Sequence, residues 1–251
     1  ISRERAERDA LAAEFAEVSH RLLTRGITPV LFKSAGGIPY RSSNVDLLVR
    51  PTDMKAAARL LEETGHLRFP HYREDHKLLY RRFRGGRSVI CVHLHDAVSW
   101  GRVLILPGDD VSGRSRMPRG LGETGAFRGA SPEDMVIITL AHALYETDQL
   151  RLSDLRAIRL AVSEPGFDPA QVLARVARRG WTGGFLSMLA IVEALEKSLY
   201  GASRLPPELI TGGMESLPRA RSFAGRSASS LSSTHPGRLP FPMPKRFTKG
   251  N

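Results

Sequence analysis

The hydrophobic pattern of this chain changes once along its length, and that change limits the fold more than any other feature. Before residue 107, short apolar runs suited to strands alternate with two helical patterns. From Ser131-Pro132-Glu133-Asp134, a capping serine with proline at the first helical position, every apolar pattern has helical spacing. The sequence therefore predicts an α+β protein, in which a mixed sheet with flanking helices is followed by a small helical bundle.

The order of these patterns predicts five segments. Leu11, Phe15, Val18 and Leu22 follow helical spacing and predict a packing helix that ends at Gly26. Apolar runs predict strands at 29–32, 45–49, 76–83, 88–95 and 103–106, and helices at 51–64, 131–147, 151–162, 168–179 and 182–200. The predicted segments are an N-terminal packing helix in 1–26, a sheet-bearing core in 27–107, a loop or linker in 108–130, a helical domain in 131–215 and a tail in 216–251.

Net positive charge is concentrated at the carboxyl end of the 251-residue chain. Seven of the 37 lysines and arginines, and no aspartate or glutamate, lie in 216–251, which is also rich in serine and proline. This composition predicts a disordered tail that contacts nucleic acid only weakly. No apolar run reaches the 18 residues of a membrane span, and the single Cys91 cannot form an internal disulfide, so we expect a cytoplasmic protein without a membrane partner.

The polar residues that could bind a ligand or take part in catalysis lie on and between the first two predicted strands. Carboxylates and amides at alternate strand positions point the same way, and glycines between two strands let backbone amides approach phosphate oxygens. The residues in this arrangement are Lys33, Ser34, Gly36, Gly37, Asn44 and Asp46. The arrangement suits a nucleoside triphosphate held together with a divalent cation.

These motifs resemble the polymerase-beta-like nucleotidyltransferase superfamily, and within it the uncharacterised nucleotidyltransferases of the "DiDlLV" type. The resemblance begins with Lys33-Ser34 and Asn44-Val45-Asp46-Leu47-Leu48-Val49, and includes a helix that ends at Thr64-Gly65. Arg50-Pro51-Thr52-Asp53, Val92-His93-Leu94-His95 and Ser131-Pro132-Glu133-Asp134 resemble three further family segments. The similarity covers about 27–162 and implies a nucleotidyltransferase-like core in 27–107.

The resemblance implies metal-dependent transfer of a nucleoside monophosphate from an NTP to an acceptor, which is a small molecule, a protein or RNA. It implies three carboxylates that hold magnesium, but the matching positions here are Asn44, Asp46 and His93. Since histidine is a better ligand for other metals, His93 extends the expected ions to Mn²⁺ or Zn²⁺. The implied catalytic residues are Asp46 and Ser34, and the implied nucleotide-binding residues are Lys33, Ser34, Gly36, Gly37 and Arg41.

Two other functions stay open at this stage. Loss of two carboxylates is also typical of a catalytically degenerate module that binds nucleotide or nucleic acid without turnover. Alternatively, His93 and His95 alternate on one strand and, with Asp46, predict a two-histidine, one-carboxylate site for metal-dependent phosphoester hydrolysis.

The plain structural interpretations are also open. Asp46 could pair with Arg41 or Arg50 at a strand end, and both histidines could lie on a half-buried sheet without a ligand. His142, with Arg151 and Asp154, either closes the substrate cleft from the helical region or joins two helices through polar contacts.

Overall fold

The computed structural model describes residues 2–33, 44–70, 75–84, 87–117 and 128–214. Within these residues it has eight α-helices and eight strands. The helices are α1 (Ser2–Thr24), α2 (Met54–Glu63), α3 (Gly108–Arg114), α4 (Pro132–His142), α5 (Leu152–Val162), α6 (Pro169–Arg178), α7 (Thr182–Tyr200) and α8 (Pro207–Met214). The strands are β1 (Val30–Leu31), β2 (Asn44–Leu48), β3 (Leu67–Phe69), β4 (Lys77–Arg84), β5 (Arg87–His95), β6 (Ala97–Trp100), β7 (Val103–Pro107) and β8 (Arg128–Gly129).

Six strands form one mixed sheet in the order β3-β4-β5-β2-β1-β8, and β6 pairs with β7 in a separate antiparallel ribbon. The central pair, β2 and β5, is parallel and places Asp46 opposite His93. Strand β1 runs antiparallel to β2 with Val30 opposite Leu48. The α+β architecture predicted from the sequence, a mixed sheet with flanking helices and a helical bundle, is therefore confirmed.

The two faces of this sheet pack against different helices. On one face, Leu31 and Leu47 join α1 and α2 in a core of buried apolar side chains. On the other face, Val30 and Leu48 belong to a larger core that includes most of the helical bundle. Because side chains alternate along a strand, Asp46 shares the bundle-facing side of β2 with Leu48.

Most helices predicted from spacing are confirmed. Helix α1 ends before Gly26, whose φ of +74° is the left-handed conformation that favours glycine. Helix α4 begins where predicted, since the Asp134 amide donates to the Ser131 hydroxyl at 3.2 Å. The predicted helix over 131–147 changes at its end, because residues 143–147 form a π-helical turn after α4.

The segment 108–130, which the sequence predicts to be a loop or linker, differs from that prediction where it is described. It begins with α3 and ends with β8, which extends the sheet beside β1. Helix α3 buries Gly108 and Val111 alone, and two buried positions give no periodic hydrophobic signal. The predicted limits of the five segments stay a prediction.

Three predictions concern residues that lie wholly or partly outside the described ranges. Ser34, Gly36, Gly37 and Arg41 lie outside the described residues, as do residues 85–86 between the predicted strands 76–83 and 88–95, and the tail in 216–251. Among the described helices, none combines the length and apolar character needed to cross a bilayer.

Candidate functional site

The candidate site is built around the carboxylate of Asp46, which is 3% exposed. Parallel pairing of β2 and β5 brings the side chains of His93 and His95 to this carboxylate. His93 Nδ1 and His95 Nε2 each lie 3.2 Å from Asp46 Oδ1. Asn44, two positions earlier on β2, donates from Nδ2 to Asp46 Oδ2 at 2.9 Å.

Lys33 supplies a positive charge beside this cluster. Its Nζ lies 3.8 Å from Asp46 Oδ1 and 3.1 Å from Glu146 Oε2, so one ammonium group contacts two carboxylates. Its side chain is 13% exposed and also lies 5.0 Å from the centroid of the Trp100 ring. An ammonium group in such a buried position needs paired negative charge, which Asp46 and Glu146 provide.

Glu146 comes from the π-helical turn that follows α4, on the bundle side of the site. Its Oε2 accepts from Trp100 Nε1 at 2.6 Å and lies 3.2 Å from His142 Nε2. The turn continues the helix so that Glu146 lies one turn after His142, on the same face. Glu146 therefore joins the helical region to the strand cluster through Lys33.

Burial and charge set the protonation of these groups. Burial raises the pKa of Asp46, but the Lys33 ammonium group and the contacting imidazoles of His93 and His95 together outweigh that effect and hold the pKa well below its usual range. Burial lowers the pKa of His95 to about 4, so its imidazole is neutral near pH 7. Burial likewise opposes ionisation of Glu146, yet His142 and Lys33 hold the pKa of Glu146 far below its usual range.

Four residues that the sequence assigns to the site lie together in the structure: Lys33, Asn44, Asp46 and His93. His95, which the sequence offers only for the hydrolase alternative, joins them. Of the three downstream polar residues, His142 reaches the site through Glu146, whereas Asp154 accepts the Arg151 backbone amide at 2.8 Å and caps α5.

Sequence reasoning missed Glu146 and Trp100. The one available signal for Glu146 is its spacing of four from His142, which places both on one helical face. Trp100 had no signal, because β6 is a four-residue strand without alternation and all four of its residues are buried.

The donor set decides which cation these residues could hold. Two magnesium ions held by three carboxylates do not fit, because Asp46 is the one acid at the three positions that the resemblance assigns. One carboxylate and two imidazoles do converge, since ligand atoms of Asp46, His93 and His95 all lie within 4.8 Å of one another. Such a set suits a single ion of another chemical class.

The two central strands of the mixed sheet thus bring one carboxylate and two imidazoles together. The model of a family described as "Uncharacterised nucleotidyltransferase" matches residues 2–196, so the chain belongs to that family. A comparison with curated proteins gives no match.

Two solved structures show a weak overall likeness. One is the solution structure of the antibiotic-resistance factor ANT(2'')-Ia, with 14% identity, a TM-score of 0.46, and coverage of 74% of this chain and 98% of that chain. The other is the crystal structure of ANT(2'')-Ia in complex with adenylyl-2''-tobramycin, with 13% identity, a TM-score of 0.44, and coverage of 71% and 97%. At these values neither likeness bears on the chemistry of the site.

Proposed function

We propose that this protein transfers a nucleoside monophosphate from an NTP to an acceptor, in a divalent-cation-dependent reaction at the Asp46 site. In this reaction an acceptor oxygen forms a bond to the α-phosphorus, the bond to the bridging oxygen breaks, pyrophosphate leaves and the acceptor proton passes to solvent. The observation that carries the proposal is the buried, ionised Asp46 beside Lys33 on the central strands of a chain that belongs to a nucleotidyltransferase family.

The chain's own residues have distinct roles in this proposal. Lys33 lies two residues after β1, where its ammonium group would neutralise phosphate charge. Ser34, Gly36, Gly37 and Arg41 follow directly in the sequence and would form the phosphate cradle. A cation bound at Asp46 would stabilise the negative charge that develops on the phosphate during transfer.

Asn44 and His93 have supporting roles beside Asp46. Asn44 holds one carboxylate oxygen through its amide, which orients the other oxygen towards the two histidines. His93 is 21% exposed at the side chain, so it is the member of the pair that a substrate phosphate would reach.

The proposal is tested by incubating the protein with α-labelled ATP, CTP or GTP and with small-molecule, RNA or protein acceptor fractions. Magnesium, manganese and zinc are supplied in separate reactions. We expect label transfer that Asp46→Asn abolishes and that the exposed control Asp109→Asn retains. Transfer that survives in Asp46→Asn would contradict the proposal.

Calorimetry distinguishes the degenerate binding module. If the wild-type protein binds an NTP but transfers no label with any ion, the module replaces the enzyme. The double variant Asn44→Asp/His93→Asp sharpens this outcome, because label transfer in that variant alone would mean that the natural chain has lost the activity.

A phosphoester hydrolase is the second candidate, and the observation that favours it is the convergence of Asp46, His93 and His95. A hydrolase would release 4-nitrophenolate from a bis(4-nitrophenyl) phosphate probe, leaving 4-nitrophenyl phosphate, in the presence of zinc and without any NTP. Nucleotidyl transfer predicts that this probe stays intact while labelled NTP is consumed.

A further inference from the structure

Neither tautomer of His93 satisfies both of the polar contacts that its Nδ1 atom makes with Asn44 and Asp46. Asn44 Nδ2 lies 2.9 Å from Asp46 Oδ2, and because a carboxylate oxygen only accepts, this contact fixes the amide nitrogen as the donor. The same nitrogen lies 2.8 Å from His93 Nδ1, so its second hydrogen points at the imidazole. Nδ1 of His93 must then be the unprotonated, accepting nitrogen of the ring.

That assignment leaves two acceptors facing each other. His93 Nδ1 and Asp46 Oδ1 are 3.2 Å apart, and with Nδ1 unprotonated both present lone pairs. The other tautomer satisfies Asp46 but then sets an imidazole N–H against the amide N–H of Asn44 at 2.8 Å. Neither tautomer of His93 satisfies both contacts. A cation bound to Nδ1 and Asp46 Oδ1 would remove the repulsion between these two acceptors, and the Asn44 amide would then turn its second hydrogen away from Nδ1, because that nitrogen has a single lone pair.

The third ligand group has the same chemistry. His95 Nε2 lies 3.2 Å from the same oxygen, Asp46 Oδ1, and the imidazole is 1% exposed. Phe32 packs against it edge-on with ring centroids 4.9 Å apart, which fixes the plane of the imidazole. A neutral imidazole held in one orientation beside a carboxylate is a metal ligand that needs little reorganisation.

We propose that Asp46, His93 and His95 form a site for one first-row transition-metal ion of the zinc class, in place of the two magnesium ions of a three-carboxylate site. Two imidazole nitrogens and one carboxylate oxygen are ligands that zinc, cobalt and nickel prefer, whereas magnesium prefers oxygen ligands. This inference deepens the proposed function, and its relevance to transfer rests on that function.

Glu146 allows a metal ion to replace the Lys33 ammonium group as the cation beside Asp46. Lys33 is the cation that contacts Asp46 Oδ1 in this structure, and a metal ion at Asp46 would repel it. However, Lys33 Nζ lies closer to Glu146 Oε2, at 3.1 Å, than to Asp46, at 3.8 Å. Lys33 therefore keeps a paired carboxylate when Asp46 binds a metal ion.

The test is calorimetry of the full chain, stripped of metal and titrated with ZnCl₂, CoCl₂ or MgCl₂ in the absence of nucleotide. We expect one zinc ion to bind at least about 100-fold more tightly than magnesium. His95→Gln should weaken zinc binding by about 10-fold or more, and His93→Gln by a similar factor. His76→Gln, which changes a histidine paired with Asp96 outside the site, is the matched control and should keep wild-type affinity.

A second readout guards against misfolding of the buried His95 variant. Cobalt bound to the wild-type chain should give visible absorption bands that His93→Gln alters and His76→Gln keeps, while circular dichroism shows all variants to be folded. Equal affinities for zinc and magnesium, or unchanged zinc affinity in folded His93→Gln, would overturn the proposal.

The outcome separates this inference from the proposed function. Zinc binding as described, with no label transfer from any NTP, would leave the metal site standing and refute nucleotidyl transfer. Label transfer supported by magnesium, with zinc binding no tighter than in the histidine variants, would refute the zinc-class site and leave the proposed function standing.

Discussion

Asp46 is the residue that gives the site its chemistry, because its carboxylate is the common partner of four polar side chains. They are Lys33, Asn44, His93 and His95. Lys33 carries a positive charge, and Asn44 and His95 have N–H groups that can donate to the carboxylate. These contacts let a buried carboxylate remain ionised. A neutral residue at position 46 would leave Lys33 dependent on Glu146 alone.

The variant Glu146→Gln tests that dependence. Loss of the negative charge leaves Lys33 with one carboxylate, so we expect the free energy of unfolding to fall by about 1 kcal/mol at pH 7. Because the pKa of Glu146 is lowered in the folded state, its contribution is present above about pH 4.5, the ordinary value of a glutamate, and decreases as the pH falls below it. The loss in Glu146→Gln should therefore shrink in acid, as measured by urea denaturation.

Glu193→Gln is the control for this experiment. Glu193 pairs with Lys197 at 2.6 Å on the surface of α7, and exposed pairs of this spacing contribute only about 0.3–0.5 kcal/mol. A Glu146→Gln protein that is as stable as Glu193→Gln at every pH would contradict a structural role for the Lys33–Glu146 contact.

At the scale of secondary-structure elements, the turn into α3 depends on the absence of a side chain at Gly108. A Cβ at this position would lie 1.9 Å from the backbone oxygen of Asp96, and backbone cannot move aside as a side chain can. We expect Gly108→Ala to destabilise the fold by about 3 kcal/mol or more.

Gly113, in the same helix, is the matched control, because a Cβ there meets no atom within 4 Å. Gly113→Ala should be neutral or stabilise the protein by about 0.5–1 kcal/mol, since alanine favours a helix more than glycine does. Thermal melts of both variants measure the difference, and equal melting temperatures would show that the close approach of α3 to Asp96 is wrong.

The elements also show how much the sequence could predict. The helices α4 to α7 and the strands around Asp46 were predictable, because caps, prolines and long periodic patterns mark them locally. The strands β3, β6 and β8 were missed, since two to four residues carry no periodicity, and β8 is held by pairing with β1, which lies far from it in the sequence.

The same distinction applies to the site. Asn44 and Asp46 lie on one strand, so their shared direction follows from alternation alone. The approach of Glu146 depends on a π-helical turn and on packing of the bundle against one face of the sheet, over a sequence separation that local patterns cannot encode.

At the scale of the whole molecule, a buried carboxylate joins three helices. Asp134 on α4 is fully buried and accepts from Arg114 of α3 at 3.0 and 3.1 Å and from Arg175 of α6 at 2.9 Å. The larger core also includes both sheet and bundle residues. We therefore expect the sheet and the bundle to unfold together.

Asp134→Asn tests this coupling. It removes the charge that pairs with Arg175, which is 6% exposed, and breaking such a buried pair costs about 3–5 kcal/mol. Trp100 fluorescence in a Trp181→Phe background and Trp181 fluorescence in a Trp100→Phe background should show one shared denaturation midpoint, lowered in both by Asp134→Asn.

The control for this change is Asp168→Asn at the N-cap of α6, where asparagine caps a helix as well as aspartate does. A lowered midpoint in the Trp181 signal alone would contradict the coupling and would mean that the bundle is an independent unit.

The central claim is that the Asp46 cluster is where this protein binds a triphosphate together with a cation. It is tested most directly by anomalous diffraction from a crystal grown with Mn²⁺ and a non-hydrolysable NTP analogue. We predict a manganese peak in contact with the Asp46 carboxylate and triphosphate density that reaches the same ion. A triphosphate bound elsewhere, with Asp46 still paired to Lys33 and no ion beside it, would contradict the account.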